Sequence, residues 1–477
     1  MSGTPLDDRA VREFITQGYT LVQADQPAEF HREVSEKLDA TLDAEGNPGN
    51  NILPRVPELG AIFDSPSVRG ALHSLLGPGY SMHPHRYCHL NRPGSQGQNW
   101  HKDDYVYDSN VRHHRFRWLM AFYYPQDVDP EMGPTGIMPA RQHYNHISDP
   151  DPAKASELEQ KLCGPAGTVA LVNFDVWHRA TANTSDRKRH MLHFQFLRMQ
   201  EPIEANWQRT DKDWQQVAED AHPELSAHIW HWLAGAPATN ARSAEDATAL
   251  ISILQNDDEK RCIDTAYALG HLGDRAVPAL IDALRLEALA KAESKQAKAP
   301  ANVQGGNPAD LDTAHALSAI GPAAVPALIE ELASADWPLR CAAADILGNL
   351  GLESRTATPA LNRALTDENR WVRRNAAEAL GTISPENEES VALLAKALKD
   401  GDEPVRRNAA LALAKIGPAA ASAVSALRAS LADENRYTRF NALLALQRIG
   451  SPAALDALWN DVYTARWCPI TNKETPY

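Results

Sequence analysis

Residues 99–103 read Asn99-Trp100-His101-Lys102-Asp103, and residues 173–178 read Asn173-Phe174-Asp175-Val176-Trp177-His178. Both stretches read as strands. In a strand, residues i and i+2 face the same side, so the His101 imidazole and the Asp103 carboxylate can grip one ion together. His178 supplies a second imidazole. Two histidines and one carboxylate form a facial triad that suits non-haem Fe(II) and leaves coordination positions open. The short pattern is weak alone: with 18 histidines, about one His-x-Asp arises by chance. His31-Arg32-Glu33 and His222-Pro223-Glu224 share the spacing with Glu. Both fall in helical patterns, where i and i+2 do not face each other. The case for His101 therefore rests on its surroundings.

Those surroundings form an ordered series. Glu13-Phe14-Ile15-Thr16-Gln17-Gly18-Tyr19 opens it, and Leu75-Leu76-Gly77-Pro78-Gly79-Tyr80 precedes the His101 stretch. Glu131-Met132-Gly133-Pro134-Thr135-Gly136-Ile137-Met138-Pro139-Ala140-Arg141-Gln142-His143 follows it. His178 and Arg189 come next, and Trp230-His231-Trp232-Leu233-Ala234-Gly235 closes the series. In this order the segments resemble the phytanoyl-CoA dioxygenase family of 2-oxoglutarate-dependent oxygenases. The resemblance covers about half of the chain.

The resemblance implies that His101, Asp103 and His178 bind Fe(II) and form the catalytic centre, with 2-oxoglutarate and O2 as co-substrates. It implies that Arg189 holds the distal carboxylate of 2-oxoglutarate, because a guanidinium matches a planar carboxylate in charge and shape. Arg187 and Lys188 are close rivals, and only the spacing from His178 favours Arg189. Asn91 is a further candidate for a polar contact to the co-substrate. The family often has Ser two residues after the distal His, where this chain has Ala180; Thr181 is the candidate to compensate. Pro139-Ala140-Arg141-Gln142-His143 is one residue longer than the family's Pro-Gly-Ser-His, which affects a turn and not the metal. The presence of Asp103 argues against a halogenase, which has a small residue there.

Composition sets bounds. The chain has 477 residues, 43% hydrophobic and 23% charged, an ordinary globular balance. Its net charge of −15 repels phosphate backbones and anionic membranes, so neither nucleic acid nor a membrane is an expected partner. The five cysteines are scattered, odd in number and without a CxxC, which points to reduced thiols. The first residues lack the basic and apolar parts of a signal peptide. No apolar run reads as long enough to span a bilayer. A cytoplasmic protein is expected.

An N-terminal helix is expected with Val11, Phe14 and Ile15 on one face and Gly18 as its stop, further helices over residues 28–43, 68–76 and 211–234, and the first strand at Tyr19-Thr20-Leu21-Val22. Between residues 81 and 200 the pattern changes to short β-prone runs, such as Arg117-Trp118-Leu119-Met120-Ala121-Phe122-Tyr123-Tyr124 and Thr168-Val169-Ala170-Leu171-Val172-Asn173. Pro, Gly, Asn and Asp bound these runs. The expected domain, residues 1–238, is a double-stranded β-helix (jelly roll) with flanking helices.

The second half repeats. Arg340, Arg373, Arg406 and Arg439 recur at a spacing of 33 residues, as do Leu347, Leu380, Leu413 and Leu446, and Asn375, Asn408 and Asn441. A fixed period of this size means stacked units. Asn369-Arg370-Trp371-Val372-Arg373-Arg374-Asn375-Ala376-Ala377-Glu378-Ala379-Leu380-Gly381 reads as the first helix of one unit. The repeat resembles HEAT repeats in the short form of the bilin lyases. An all-α solenoid is expected over residues 239–464, with a mobile insertion at 287–308 and a C-terminal tail at 465–477. Asp367, Asp400 and Asp433 each precede a repeat Arg by six residues. They read as a ladder tying neighbouring repeats, or alternatively the Arg form a basic stripe for an acidic partner. Arg374 and Arg407 read as free to face a partner.

Tyr105 and Arg117 are the candidate substrate contacts. Tyr107 follows the same metal motif, and Arg117 belongs to a basic cluster with His113, His114 and Arg115 that reads either as a contact for an anion or as a solvated loop. His83, His85 and His89 read as lining the pocket, with a second metal site as the rarer alternative. The expected function is an iron-dependent dioxygenase that hydroxylates a C–H bond of a small-molecule metabolite, with the solenoid serving assembly or a protein partner. Two alternatives stay open: a peptide hydroxylase whose solenoid recruits the substrate, and a catalytically silent scaffold.

Overall fold

In the computed structural model the described residues are 3–103, 113–144, 158–236, 247–254, 258–293, 307–383 and 386–465. The chain forms two compact units. One comprises residues 1–103 and 114–237; the other comprises 104–113 and 238–477.

The first unit opens on the helix Asp8–Gln17, capped by the Asp7 side chain, which accepts from the backbone N–H of Ala10. Val11, Phe14 and Ile15 are its buried stripe, and Gly18 ends it at φ 79°. The chain passes directly into β1 (Tyr19–Gln23). Helices Ala28–Glu45 and Pro66–Leu76 follow, then β2 (Ser81–Asn91), β3 (Trp118–Tyr123), β4 (Thr135–Ile137), β5 (Gln160–Lys161), β6 (Thr168–Asn173), β7 (His178–Ala180) and β8 (Arg189–Leu197). They pair into two antiparallel sheets, one of order β1-β6-β3-β8-β2 and one of order β5-β4-β7. The central strands β3, β6 and β8 are buried on both faces; β3 and β6 carry apolar runs accordingly, while β8 buries the polar Arg189, His190, His193 and Gln195 among its apolar residues.

Two expectations change here. Residues 173–178 are not one strand. The Asn173 side chain accepts from the N–H of Asp175, and Val176 N–H donates to the Asn173 carbonyl. This side-chain turn, a common role of Asn, carries the chain from β6 in the large sheet to β7 in the small one. Residues 211–222 are likewise not helical: the helix is Pro223–Leu233, with Pro223 at its first position, where a missing N–H costs nothing.

The second unit is helical and repeats. Helices Trp337–Leu350, Arg370–Ile383, Glu403–Ile416 and Arg436–Ile449 stack in succession. Small residues set the spacing. A Cβ on Gly348 would lie 2.9 Å from Ala379, and one on Gly381 would lie 3.0 Å from Ala412. Asn375, Asn408 and Asn441 each donate to a backbone carbonyl of the preceding repeat, on Cys341, Arg374 and Arg407. The Arg–Asp ladder ties repeats, but its register differs from the sequence pairing. Arg340, Arg373 and Arg406 form bidentate pairs with Asp367, Asp400 and Asp433 of the next repeat. Arg373, Arg406 and Arg439 reach the Asp six residues earlier only through its backbone carbonyl.

Arg374 and Arg407 do not face outward. Arg374 is 1% exposed, stacks on Trp371 at 4.2 Å and pairs with Asp402 through two bonds of 2.7 and 2.8 Å. Arg407 is buried as well. In the expected insertion, residues 287–292 continue the helix Val277–Ala292, while 294–306 lie outside the described residues, as does the tail from 466. Contrary to the reading of the sequence, one stretch, Glu403–Ser430, is long and apolar enough to cross a membrane by length and composition alone, on an 18-residue window of mean hydropathy 1.5 that is half buried. It is two repeat helices joined at Gly417, whose φ of 68° turns the chain.

Candidate metal centre

His101 and His178 meet through the backbone. Each donates its N–H to the other's carbonyl at 3.0 Å, an isolated antiparallel bridge beside β7. A pair bonded in this way places both side chains on one face, and the imidazole centroids are 4.4 Å apart. A loop from β2 brings His101 there. Gly97, at φ 82°, allows it: a Cβ would sit 2.6 Å from the Ala180 carbonyl oxygen. Asp103 arrives two residues later, with Oδ1 3.9 Å from His178 Nε2.

Backbone carbonyls set both rings. His101 Nδ1 donates to the Asn99 carbonyl at 2.9 Å, and His178 Nδ1 to the Val176 carbonyl at 3.2 Å. Each carbonyl belongs to the residue two before its histidine. With Nδ1–H committed, the lone pair is on Nε2, the usual arrangement for a ligating histidine. Burial pushes the His178 pKa down, opposed in part by Asp103, and the neutral imidazole is the form that binds a metal. One ligand atom from each of His101, Asp103 and His178 lies within 4.8 Å of the others. Among the described residues this is the one group of three or more His, Cys, Asp or Glu so placed. His83, His85 and His89 do not make a second.

Arg189, the first residue of β8, is 1% exposed. Its Nε donates to the Gly133 carbonyl at 3.0 Å, and Nη2 donates to the same oxygen. Nη1 is buried without a hydrogen-bond partner. Burial, the largest influence, lowers the Arg189 pKa from its ordinary value. Its rivals face elsewhere: Arg187 pairs with Asp129 and Lys188 with Asp39, both half-exposed. Asn91, opposite Arg189 across the β2–β8 ladder, donates to the carbonyls of Gly133 and Thr181 at 2.9 and 3.0 Å. Its Oδ1 is buried and has no partner. The Thr181 hydroxyl donates to the Pro134 carbonyl at 2.7 Å. Gly133, Asn91, Thr181 and Arg189 therefore form one polar corner.

The residues expected to meet substrate divide. Tyr105 and Tyr107 lie outside the described residues. Arg117 is bound by Glu201 through two bonds of 2.7 and 3.0 Å. His114 and Arg115 are buried, so the cluster is not a solvated loop. His113 groups with the second unit and pairs there with Asp345 at 3.1 Å. His193 was not anticipated. It lies on β8, buried, with Nε2 3.7 Å from Asp103 Oδ2, and burial pushes its pKa down to about 3. His89 stacks beside it and is pushed down to about 4, again mainly by burial. The signal was available: His193 follows Arg189 at the even spacing that puts strand residues on one face.

Residues 10–191 match the family model for phytanoyl-CoA dioxygenase. Residues 325–414 and 391–463 match HEAT repeats, and 263–285 match the HEAT-like repeat of the PBS lyases. No curated protein matches the chain. Among solved structures, the alpha-ketoglutarate-dependent carbocyclase SnoK of nogalamycin biosynthesis is 19% identical, with 42% of this chain and 88% of that one covered and a TM-score of 0.33. EctD from S. alaskensis with bound Fe is 18% identical, with 42% and 79% covered and a TM-score of 0.35. EvdO2 from Micromonospora carbonacea var. aurantiaca, complexed with 2-oxoglutarate, is 16% identical, with 42% and 93% covered and a TM-score of 0.32.

Proposed function

We propose that this chain, a phytanoyl-CoA dioxygenase domain at residues 10–191 joined to HEAT repeats within 263–463, is an Fe(II)- and 2-oxoglutarate-dependent oxygenase that hydroxylates a C–H bond of a small molecule. The observation that carries the reading is the His101–Asp103–His178 group, with one ligand atom of each residue within 4.8 Å of the others and both Nδ1 atoms committed to carbonyls. We read the two sheets as the double-stranded β-helix of this fold class.

The residues fit the groups they would hold. His101, Asp103 and His178 offer two nitrogens and one oxygen, the donor set for non-haem Fe(II). A buried guanidinium with an unpartnered Nη1 fits the distal carboxylate of 2-oxoglutarate, since an unmatched buried donor costs about 1–3 kcal/mol. When iron, 2-oxoglutarate and O2 are bound, they supply the oxidative decarboxylation that drives C–H oxidation. The chain's part is to bind and orient. Asp103 supplies negative charge to the metal, and Arg189 neutralises the far end of the co-substrate. Asn91 and Gly133 hold that guanidinium in register, and Thr181 fixes the loop behind it.

The solenoid serves a protein partner in this reading. Its last helix, Pro452–Ala465, exposes Leu455, Trp459, Val462 and Tyr463, the last at 82%, and solenoid surfaces commonly bind proteins. The cysteines described are free, in keeping with a reducing, cytoplasmic setting. A peptide hydroxylase remains the second reading, since the same surface could present a protein substrate. The complete triad weighs against a silent scaffold.

The test is an anaerobic titration of the metal-free full chain with Fe(II) and 2-oxoglutarate, following the visible charge-transfer band. The wild type is expected to give a band that is lost in His101→Ala and needs more 2-oxoglutarate in Arg189→Ala. Folded wild type without a band would overturn the oxygenase reading.

A further inference from the structure

The two carboxylate oxygens of Asp103 face different imidazoles. Oδ1 lies 3.9 Å from His178 Nε2, inside the triad. Oδ2 lies 3.7 Å from the Nε2 of His193, which is outside it. His193 is fixed from several sides. The ladders hold its backbone against Tyr87 on β2 and Phe122 on β3. The Phe122 ring meets its ring edge-on at 5.2 Å, and His89 stacks at 6.1 Å. The imidazole is buried, and its Nε2 has no hydrogen-bond partner. A buried nitrogen left in that state is costly, and Oδ2 of Asp103, a candidate metal ligand, lies 3.7 Å from it.

We propose that His193 is a positioning residue of the metal centre: its Nε2–H donates to Oδ2 of Asp103 and leaves Oδ1 as the oxygen turned to the metal. The inference rests on reading His101, Asp103 and His178 as an Fe(II) site. A carboxylate with two unrestrained oxygens can rotate and take two coordination positions. A donor on the outer oxygen keeps it to one, so more positions stay open for co-substrate and O2. The 3.7 Å separation is longer than a hydrogen bond; contacts of this kind tighten when a site is loaded. Partners behind a ligand typically change metal affinity about 10–100-fold when lost.

The experiment uses the full chain and two readouts. In the first, Fe(II) affinity and the charge-transfer band with 2-oxoglutarate are compared for wild type, His193→Phe and His193→Gln. The Phe variant keeps a ring without a donor and is expected to bind Fe(II) roughly tenfold more weakly or worse, with a shifted band. The Gln variant keeps a donor and is expected to recover most of both. Wild-type affinity and spectrum in His193→Phe would overturn the inference while leaving the oxygenase reading intact. Absence of a band in wild type would overturn both. The second readout needs no variant. Nitrogen-15 spectra of the histidine rings in the zinc-loaded wild type are expected to show His193 protonated on Nε2, with His101 and His178 protonated on Nδ1. An Nδ1–H tautomer at His193 would overturn the proposal whatever the variants do.

Discussion

Gly133 is where a single atom would matter most. Its φ is 68°, a region that costs a residue with a side chain, and a Cβ there would lie 2.2 Å from Asn91 Nδ2 and 2.8 Å from the Thr181 carbonyl oxygen. Gly133→Ala must therefore move the carbonyl that both Arg189 and Asn91 grip. We expect a stability loss on the order of 1–3 kcal/mol, and weaker 2-oxoglutarate binding with Fe(II) binding largely kept. Separate titrations of metal and co-substrate on the purified variant would check this, and equal losses in both would count against a local effect. At this scale the grouping of the candidate residues was legible. Short spacings singled out His101, Asp103 and His178, which the fold brings together, and the distance from His178 singled out Arg189, the buried one of three neighbouring cations. Arg117 was not legible, because its bidentate partner Glu201 is far away in sequence. His193 carried only strand parity, which shows a shared face but not a neighbour.

Among the elements, helix Asp312–Ile320 carries a pH dependence. Its first residue, Asp312, has its pKa raised to about 7 by burial, with Glu287 and Asp310 adding to the effect. The Glu287 carboxylate accepts the N–H groups of Asp312 and Thr313, so it cannot turn away. Folded Asp312 thus keeps its proton where the unfolded chain has lost it, and stability falls as pH rises from about 4 to about 7. Asp312→Asn is expected to flatten that fall and to stabilise the solenoid at pH 8 by at most about 4 kcal/mol, the rise from 3.8 to about 7 at about 1.4 kcal/mol per unit. Urea unfolding at pH 5 and pH 8 would show it; parallel losses in both proteins would exclude Asp312 as the source. The helices of the repeats were readable because each buries a periodic stripe. The run at 173–178 was not, because the Asn173 turn sits inside an otherwise continuous β-prone sequence. The ladder was anticipated, but its register was not: a 33-residue period shows that Arg and Asp recur, not which copy each one reaches.

For the whole molecule, the two units suggest a division of labour that truncation can test. His101, Asp103, His178 and Arg189 all belong to the first unit, so a chain lacking residues 242–477 is expected to keep the Fe(II)·2-oxoglutarate band. A small-molecule oxygenase would also keep turnover, measured as succinate released with substrate present. A peptide hydroxylase recruiting through the solenoid would lose turnover and keep the band. The sequence by itself determined the two-part plan, the repeat period and the residue types of the metal group. These are written in local order: periodicity, spacing and ordered motifs need no knowledge of distant contacts. Only the tertiary structure decided that His101 and His178 are paired across a backbone bridge, that Arg374 is buried against Asp402, and that His193 faces Asp103. Each of those facts depends on which residues far apart in the chain come together, and pairing at a distance is fixed by packing and register, not by local pattern.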